Sequence, residues 1–245
     1  MASLTPPAAR AGPAGPQAHR QALRATTPPA YRWWRHASLI AAFTGAGMAI
    51  ALWRLDEPGP GDWLAFAGLL LFTNFGEYAA HRWNLHVRTF PRAVYHRHVV
   101  EHHGFFTREH MAIDAWDDLR WVLFPPWALP LLVATVVPLA AGLAWLLPAN
   151  YPWLLVLAVI TYYGLYEILH ALAHLPDDHA LAGTAPVRAL TTHHRLHHDP
   201  ALMRHWNFNF AVPIFDVLFG TRHTGTRPAG TRPAGIRPAG TRPAE

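Results

Sequence analysis

Four apolar runs constrain this chain more than any other feature: about Ala37 to Trp53, Trp63 to Ala80, Trp121 to Leu147 and Pro152 to Leu169. Each approaches the roughly 20 residues that a helix needs to cross the hydrocarbon core of a bilayer. Backbone groups inside a bilayer must bond within their own segment, so spanning runs of this kind fold as helices. Buried helices of a soluble bundle are the competing assignment. Four runs almost free of interior charge argue against it, and the overall 51% apolar and 14% charged residues reflect those same blocks. Glu77 lies near the end of the second run, and Pro125, Pro126 and Pro130 break the third early. Between the third and fourth runs, Pro148 to Tyr151 leaves room only for a tight hairpin.

Charge sets the expected orientation. All 20 basic residues are Arg, with a formal net charge of +5. Residues 1–36 hold five Arg and no acid, whereas the turn-rich loop 55–62 holds three acids and no Arg. Basic flanks stay on the cytoplasmic side. Four crossings then place the N-terminus, residues 81–120 and residues 170–245 in the cytoplasm. A basic balance also suits nucleic acid. Here the arginines cluster at the termini and around the apolar runs, which fits anionic lipid and topology, and no nucleic-acid partner is expected.

The expected fold class is therefore all-α: a four-helix transmembrane bundle with a cytoplasmic histidine-rich helical cap. Such a chain is an integral, multi-pass membrane protein, in the cell inner membrane if the source is bacterial. Residues 1–36 read as a disordered basic segment, Ala/Pro/Gly-rich over its first thirty positions and without the apolar stretch and cleavage site of a secretory signal. Residues 37–220 form the membrane-embedded domain. Residues 221–245 read as a disordered basic tail built on TRHTG, TRPAG, TRPAG, IRPAG and TRPAE, too short and polar for a solenoid.

The absence of cysteine excludes disulfides, thiolate metal sites and a Cys nucleophile. Any metal must bind through His, Asp or Glu, and His is abundant. Fifteen of the 18 histidines fall in the windows 81–110 and 170–205. They form four clusters: His81 with His86; His98-Val99-Val100-Glu101-His102-His103; His170-Ala171-Leu172-Ala173-His174; and His194-Arg195-Leu196-His197-His198. Residues three or four apart share a helix face, so His98/His102, His170/His174 and His194/His197/His198 can each converge on one ion. His81 and His86 lie about 140° apart on an ideal helix and need a helix end or a bulge to converge. Adjacent histidines such as His102-His103 diverge by about 100° and can serve two neighbouring ions. Ten imidazoles exceed one ion's needs and suit two, although imidazole accepts Fe, Zn, Cu or Ni alike. His96 competes with His98 for its place. His19, His36 and His223 read as tail or interface residues, and His110, His179, His193 and His205 as supporting or surface groups.

The pattern resembles the fatty acid hydroxylase/sterol desaturase superfamily, with its histidine pair, H-x(2–3)-HH, further pair and closing H-x2-HH. The likeness extends to Glu77-Tyr78-Ala79-Ala80-His81-Arg82, to Asp118-Leu119-Arg120 before Phe124-Pro125-Pro126, and to the ending from Asn209-Phe210 through Phe215-Asp216 to Phe219-Gly220-Thr221. It covers about residues 65–222. The second cluster has three residues before its HH, where fatty acid 2-hydroxylases typically have two.

The resemblance implies two Fe ions, with Zn an alternative occupant of isolated protein, held by His81, His86, His98, His102, His103, His170, His174, His194, His197 and His198. It implies O2 as co-substrate and attack on an unactivated C–H bond of a lipid acyl chain, giving an alcohol or an alkene. No fused b-type cytochrome segment appears, so electrons are expected from a separate ferredoxin, flavoprotein or b-type cytochrome. Sterol or carotenoid desaturases and hydroxylases share these motifs. A His-rich metal transporter is the alternative from another class, but transporters place ligands near the bilayer midplane. Glu77, Glu101, Glu167, Asp118 and Asp199 are candidates for orienting ligand imidazoles through their second N–H. Apolar residues from Trp63 to Phe75 and from Trp153 to Tyr166 are candidates for an acyl channel.

Overall fold

Long apolar stretches and well-placed breakers decide the helices. In the computed structural model, which describes residues 15–225, helix α1 spans Pro16–Ala25, α2 Trp33–Trp53 and α3 Pro60–Ala79. Helix α3 starts at Pro60, whose fixed φ suits a first helical position, while Asp62 Oδ2 accepts the Gly59 backbone N–H at 3.0 Å. It runs directly into a π-helical segment, Ala80–Leu85. Short α4 (Arg92–Tyr95) leads into a second π-helical segment, His96–His102, then α5 (His103–Phe105). A 3₁₀ turn over Trp116–Trp121 precedes α6 (Ala128–Leu146) and α7 (Asn150–Ala173), and α8 (Ala185–His197) and α9 (Ile214–Leu218) follow. Among the described residues the chain is all-helical apart from one isolated bridge between Thr107 and His110.

Helix α7 is the hub, with α2, α3 and α6 packed along it. Its apolar stretch is 56% buried, against 17% for α2 and 11% for α6, whose outer faces are left apolar and uncovered. These three helices are long and apolar enough to cross a membrane. The second expected span forms α3, which is not among them. Asp62, Asn74 and Glu77 reduce its apolar character, and Asn74 and Glu77 point inward, where Tyr162 of α7 bonds both.

At one end the turns α2–α3 and α6–α7 are tied together: Asn150 accepts the Asp56 N–H at 2.8 Å and donates to its carbonyl at 2.9 Å. All the histidine-bearing segments gather at the other end, where α3 and α7 finish and α2 and α6 begin. Asp117 of the 3₁₀ turn accepts the Trp33 N–H that opens α2.

Two expectations about the flanks need correction. The segment 1–36 is not wholly disordered, since α1 docks on the histidine-rich end. Arg20 is buried there, donating to Ala112 O at 2.7 Å and lying 4.6 Å from the Phe105 ring centroid. Arg24 clamps Asp118 through Nε at 2.8 Å and NH2 at 2.5 Å. Arg20 and Arg24 stand four apart, on one helix face, in a segment otherwise masked by Ala and Pro. At the other flank the domain does not stop at residue 220, because Thr221 and His223 are buried. The repeats from residue 226 lie outside the described residues.

Close contact between α2 and α7 rests on Gly164, where an added Cβ would sit 2.7 Å from Thr44 Cγ2, on a stiff β-branched side chain. Gly164→Val is expected to destabilise the fold by about 1–3 kcal/mol, read as a lower thermal midpoint in lipid nanodiscs. Gly68→Val on α3, where nothing lies within 4 Å of the added Cβ, is the matched control and should leave the midpoint unchanged.

Candidate metal centre

The two π-helical segments solve the spacing of the first two clusters. A wider turn brings residues five apart onto one face, and His81 and His86 end with ring centroids 5.0 Å apart. The same geometry pairs His98 with His103, at 4.6 Å, and this corrects the expected His98/His102 pair. All ten expected histidines are buried at this end of the molecule. Ligand-capable nitrogens of His81, His86, His98, His103 and His197 lie within 4.8 Å of one another, as do those of His102, His174, His194 and His198 in a second group. His170 Nε2 stands beside the second group, 3.2 Å from His102 Nε2 and 3.1 Å from His194 Nε2. Adjacent residues divide between the groups as their divergent directions require: His102 from His103, and His197 from His198. On α8, His194 and His198 therefore pair without His197. His96 is exposed and faces Glu101 at 3.3 Å, so His98 holds the place in the site.

Backbone carbonyls fix the tautomers. Nδ1–H of His81 donates to Phe208 O at 2.6 Å and that of His197 to Trp206 O at 3.1 Å. In the second group, His102 donates to Trp121 O, His174 to Met111 O and His198 to Phe106 O, at 2.9, 2.6 and 2.6 Å. A carbonyl only accepts, so each of these Nδ1 atoms carries the proton and each Nε2 is a bare lone pair. Those lone pairs point inward: His86 Nε2 faces His197 Nε2 at 2.9 Å, and His194 Nε2 faces both His174 and His198 Nε2 at 3.1 Å. Five nitrogens around one point cannot satisfy each other with the few protons left to them. A cation at each focus satisfies them all, so the donor set fits a pair of imidazole-ligated metal ions.

Each group has its own supporting segment. Phe208 and Trp206, which orient the first group, lie on the loop before α9. Asp216 holds that loop, accepting the N–H groups of Phe208 at 3.0 Å and Asn209 at 2.7 Å and the Thr221 hydroxyl at 2.6 Å. Glu77 secures the next residues, accepting from Phe210 N at 2.6 Å and Ala211 N at 3.2 Å. The second group depends on residues 106–121. There Asp118 accepts the Asp114 and Ala115 N–H groups while Arg24 clamps it from α1. Glu167 takes the Phe124 N–H. The expectation that carboxylates orient the imidazoles directly is thus replaced. Glu77, Glu167 and Asp118 brace the backbone near the orienting carbonyls, whereas Glu101 pairs with Arg97 and Asp199 with Arg108. In the sequence Asp216 stands only as part of the closing motif. Its anchoring role shows in sequence only as an acid beside Phe215, with no spacing signal.

Two cavities meet at the histidines. One of about 410 Å³ lies between α3, α6 and α7 and reaches Glu77 and His81, within the range of small-molecule sites. Phe72, Thr73 and residues from Leu155 to Tyr166 line it as expected, but α6 supplies a third wall through Leu132, Val136 and Leu139, and Trp63 takes no part. A smaller space of about 100 Å³ touches His98, His102 and His170 and shares Leu85, Phe124 and Tyr166 with the first.

No family model matches the chain, and no curated protein does. Among solved structures, it is similar to full-length Scs7p, in which only the hydroxylase domain is visible. The TM-score is 0.56 at 19% identity, over 81% of this chain and 69% of that one. The chain has the fold of that hydroxylase domain. Together with the two gathered histidine groups, this bears out, at the level of fold, the resemblance read from the histidine spacing. Its three long apolar helices are those of a membrane protein.

Burial dominates the electrostatics. It pulls His81 down to about 4 and His174 to about 3, and with mutual repulsion it lowers His86, His98, His102, His103, His194, His197 and His198 well below the usual imidazole value. Burial raises Asp216 to about 6 against its hydrogen bonds. The histidines are therefore neutral and ready to ligate at neutral pH. Between an unfolded value of about 6.5 and these folded values, the unfolded chain takes up protons that the fold refuses. Metal-free protein is expected to lose thermal stability steeply as pH falls from about 6.5 toward 4, while loaded protein resists. A flat profile for the chelator-treated protein would mean that these imidazoles accept protons inside the fold.

Proposed function

We propose that this chain is a membrane di-iron oxygenase that uses O2 to hydroxylate a lipid acyl chain of the fatty acid or sphingolipid type. The observation that carries the reading is a pair of adjoining apolar cavities that reaches both histidine groups, the larger at His81 and the smaller at His98, His102 and His170. All ten histidines would hold the metals, five to each ion. Such a centre supplies removal of hydrogen from an unactivated C–H bond, with lipid, O2, two electrons and two protons giving alcohol and water. We take α3 as a fourth crossing, the histidine-rich end as cytoplasmic, and the electron donor as a separate protein.

The chain's own residues supply position and dryness. An acyl chain lies along the cavity between α3, α6 and α7, its reacting carbon carried past the neck of Leu85, Phe124 and Tyr166 to His98, His102 and His170. The apolar walls exclude water from the reacting carbon. Carbonyls of Phe208, Trp206, Trp121, Met111 and Phe106 hold the ligand rings in one tautomer and direction, which raises their basicity toward a metal.

Expression in a heterologous host under air, with lipid profiling by mass spectrometry, tests the reaction. Wild type is expected to yield a lipid heavier by one oxygen, absent from the His194→Ala/His197→Ala variant, which removes a ligand from each group. Identical profiles together with altered cellular metal content would point to transport instead. Asp216→Ala strips the partners from two buried N–H groups and slackens the carbonyls on His81 and His197. Metal retention in the first group should weaken by about tenfold or more, with the second group still loaded, so metal content falls from about two to about one ion per chain.

A further inference from the structure

A third cavity, of about 500 Å³, opens beside the histidines where α2 and α6 begin. Its charged lining is Arg32, Arg35, Arg97 and Arg120 against one carboxylate, Glu101. That carboxylate is already engaged by Arg97 at 2.9 Å and by His96. The other two titratable groups satisfy each other internally. His36 Nε2–H donates to Phe124 O at 2.9 Å, which leaves Nδ1 to accept from Tyr31 OH at 3.0 Å. Arg32, Arg35 and Arg120 have no carboxylate partner among the described residues. The Arg120 Nε is buried without a hydrogen-bond partner, its guanidinium lying between the Tyr31 and Trp121 rings. A half-buried cation of this kind is stabilised by an anion that the described residues do not provide.

The cavity's level in the fold says where that anion comes from. Arg32 precedes α2 and Trp127 precedes α6, two of the helices able to span, so the cavity lies at the membrane–water boundary, where Trp, Tyr and Arg gather and lipid head groups reside. Arg97 and Trp127 also line the small space against His98, His102 and His170, which in turn joins the apolar cavity through Leu85, Phe124 and Tyr166. A cationic mouth, the histidines and an apolar cavity thus follow one another.

We infer that the mouth is a head-group site and that the substrate is an amphiphile with an anionic head, a carboxylate or a phosphate, its tail in the apolar cavity. This rests on the oxygenase reading above and specifies its substrate class. Arg35 and Arg120 are specificity residues that take the head group, while Arg97 is held by Glu101 and by the carbonyls of Arg120 and Leu123 and forms the wall between head and metals.

The test is equilibrium binding to the full chain, metal-loaded, in zwitterionic nanodiscs above neutral pH, with palmitate and methyl palmitate as probes and inorganic phosphate as competitor. Wild type is expected to bind palmitate about tenfold or more tightly than the ester, the scale of one charge-assisted hydrogen bond. Arg35→Gln and Arg120→Gln each shrink that ratio, and the double variant brings it close to one with ester affinity and metal content unchanged. Should the double variant lose ester binding or metal, the exposed Arg35→Gln alone decides. Equal affinities in the wild type, or a ratio that survives the double variant, would overturn the proposal. Inorganic phosphate that competes as well as palmitate would also sink it, by assigning the site to a free anion; an acidic protein docking there would leave the palmitate ratio at one. None of these readouts uses turnover. Oxygenated product without palmitate preference removes only the head-group site, whereas preference without product removes only the oxygenase.

Discussion

Convergence of bare imidazole nitrogens is the constraint on which the rest of the structure depends. Lone pairs about 3 Å apart repel, and burial removes the water that would screen them. The arrangement persists in the fold because five of the ten rings are tied from behind by backbone carbonyls, on segments that buried acids brace. Much of the polar investment at this end of the molecule, including Asp118, Asp216, Glu77 and Glu167, serves that one purpose. A metal at each focus would relieve that repulsion, and loading and folding would then be coupled. The consequence is a site whose ring directions come from main-chain atoms and which side-chain substitution reaches through the few acids that brace that main chain.

The fold and the site were legible to different degrees. Apolar runs announced α2, α6 and α7 because lipid leaves a spanning segment no alternative to a helix. Helix α3 was equally visible as a helix, but its inward Asn74 and Glu77 set it apart from the others only once Tyr162 and the 209–211 loop were in place. The ten histidines could be named from spacing, since ligands on one helix face must recur at fixed intervals. Their division between two groups could not. It hinges on two π-helical segments whose extra residue per turn leaves no sequence mark, and so His98 joined His103 rather than His102. The carbonyl partners were invisible for a simpler reason: every residue has one. Docking of α1 was hidden by composition, since Ala and Pro on either side of Arg20 and Arg24 read as low complexity.

Cavity and histidines are joined without any loop between them. The C-terminal end of α7 carries Tyr166, which lines the apolar space, and one turn later His170, then His174. The helix that forms the hub thus delivers both a wall of the apolar cavity and two of the gathered histidines. Helix α3 does the same with Glu77 and His81. Any tilt of these helices moves wall and histidines together, so the geometries of cavity and site are mechanically linked.

The adjacent pairs His102-His103 and His197-His198 have a further consequence. Each puts one ring into one group and its neighbour into the other, with ring centroids 5.5 and 6.2 Å apart. Successive α-carbons are a fixed 3.8 Å apart across a trans peptide. The spacing of the two groups is thereby measured out twice by covalent bonds, on two different segments. Loops and packing can shift the whole assembly, but the gap between its halves is ruled by the chain itself.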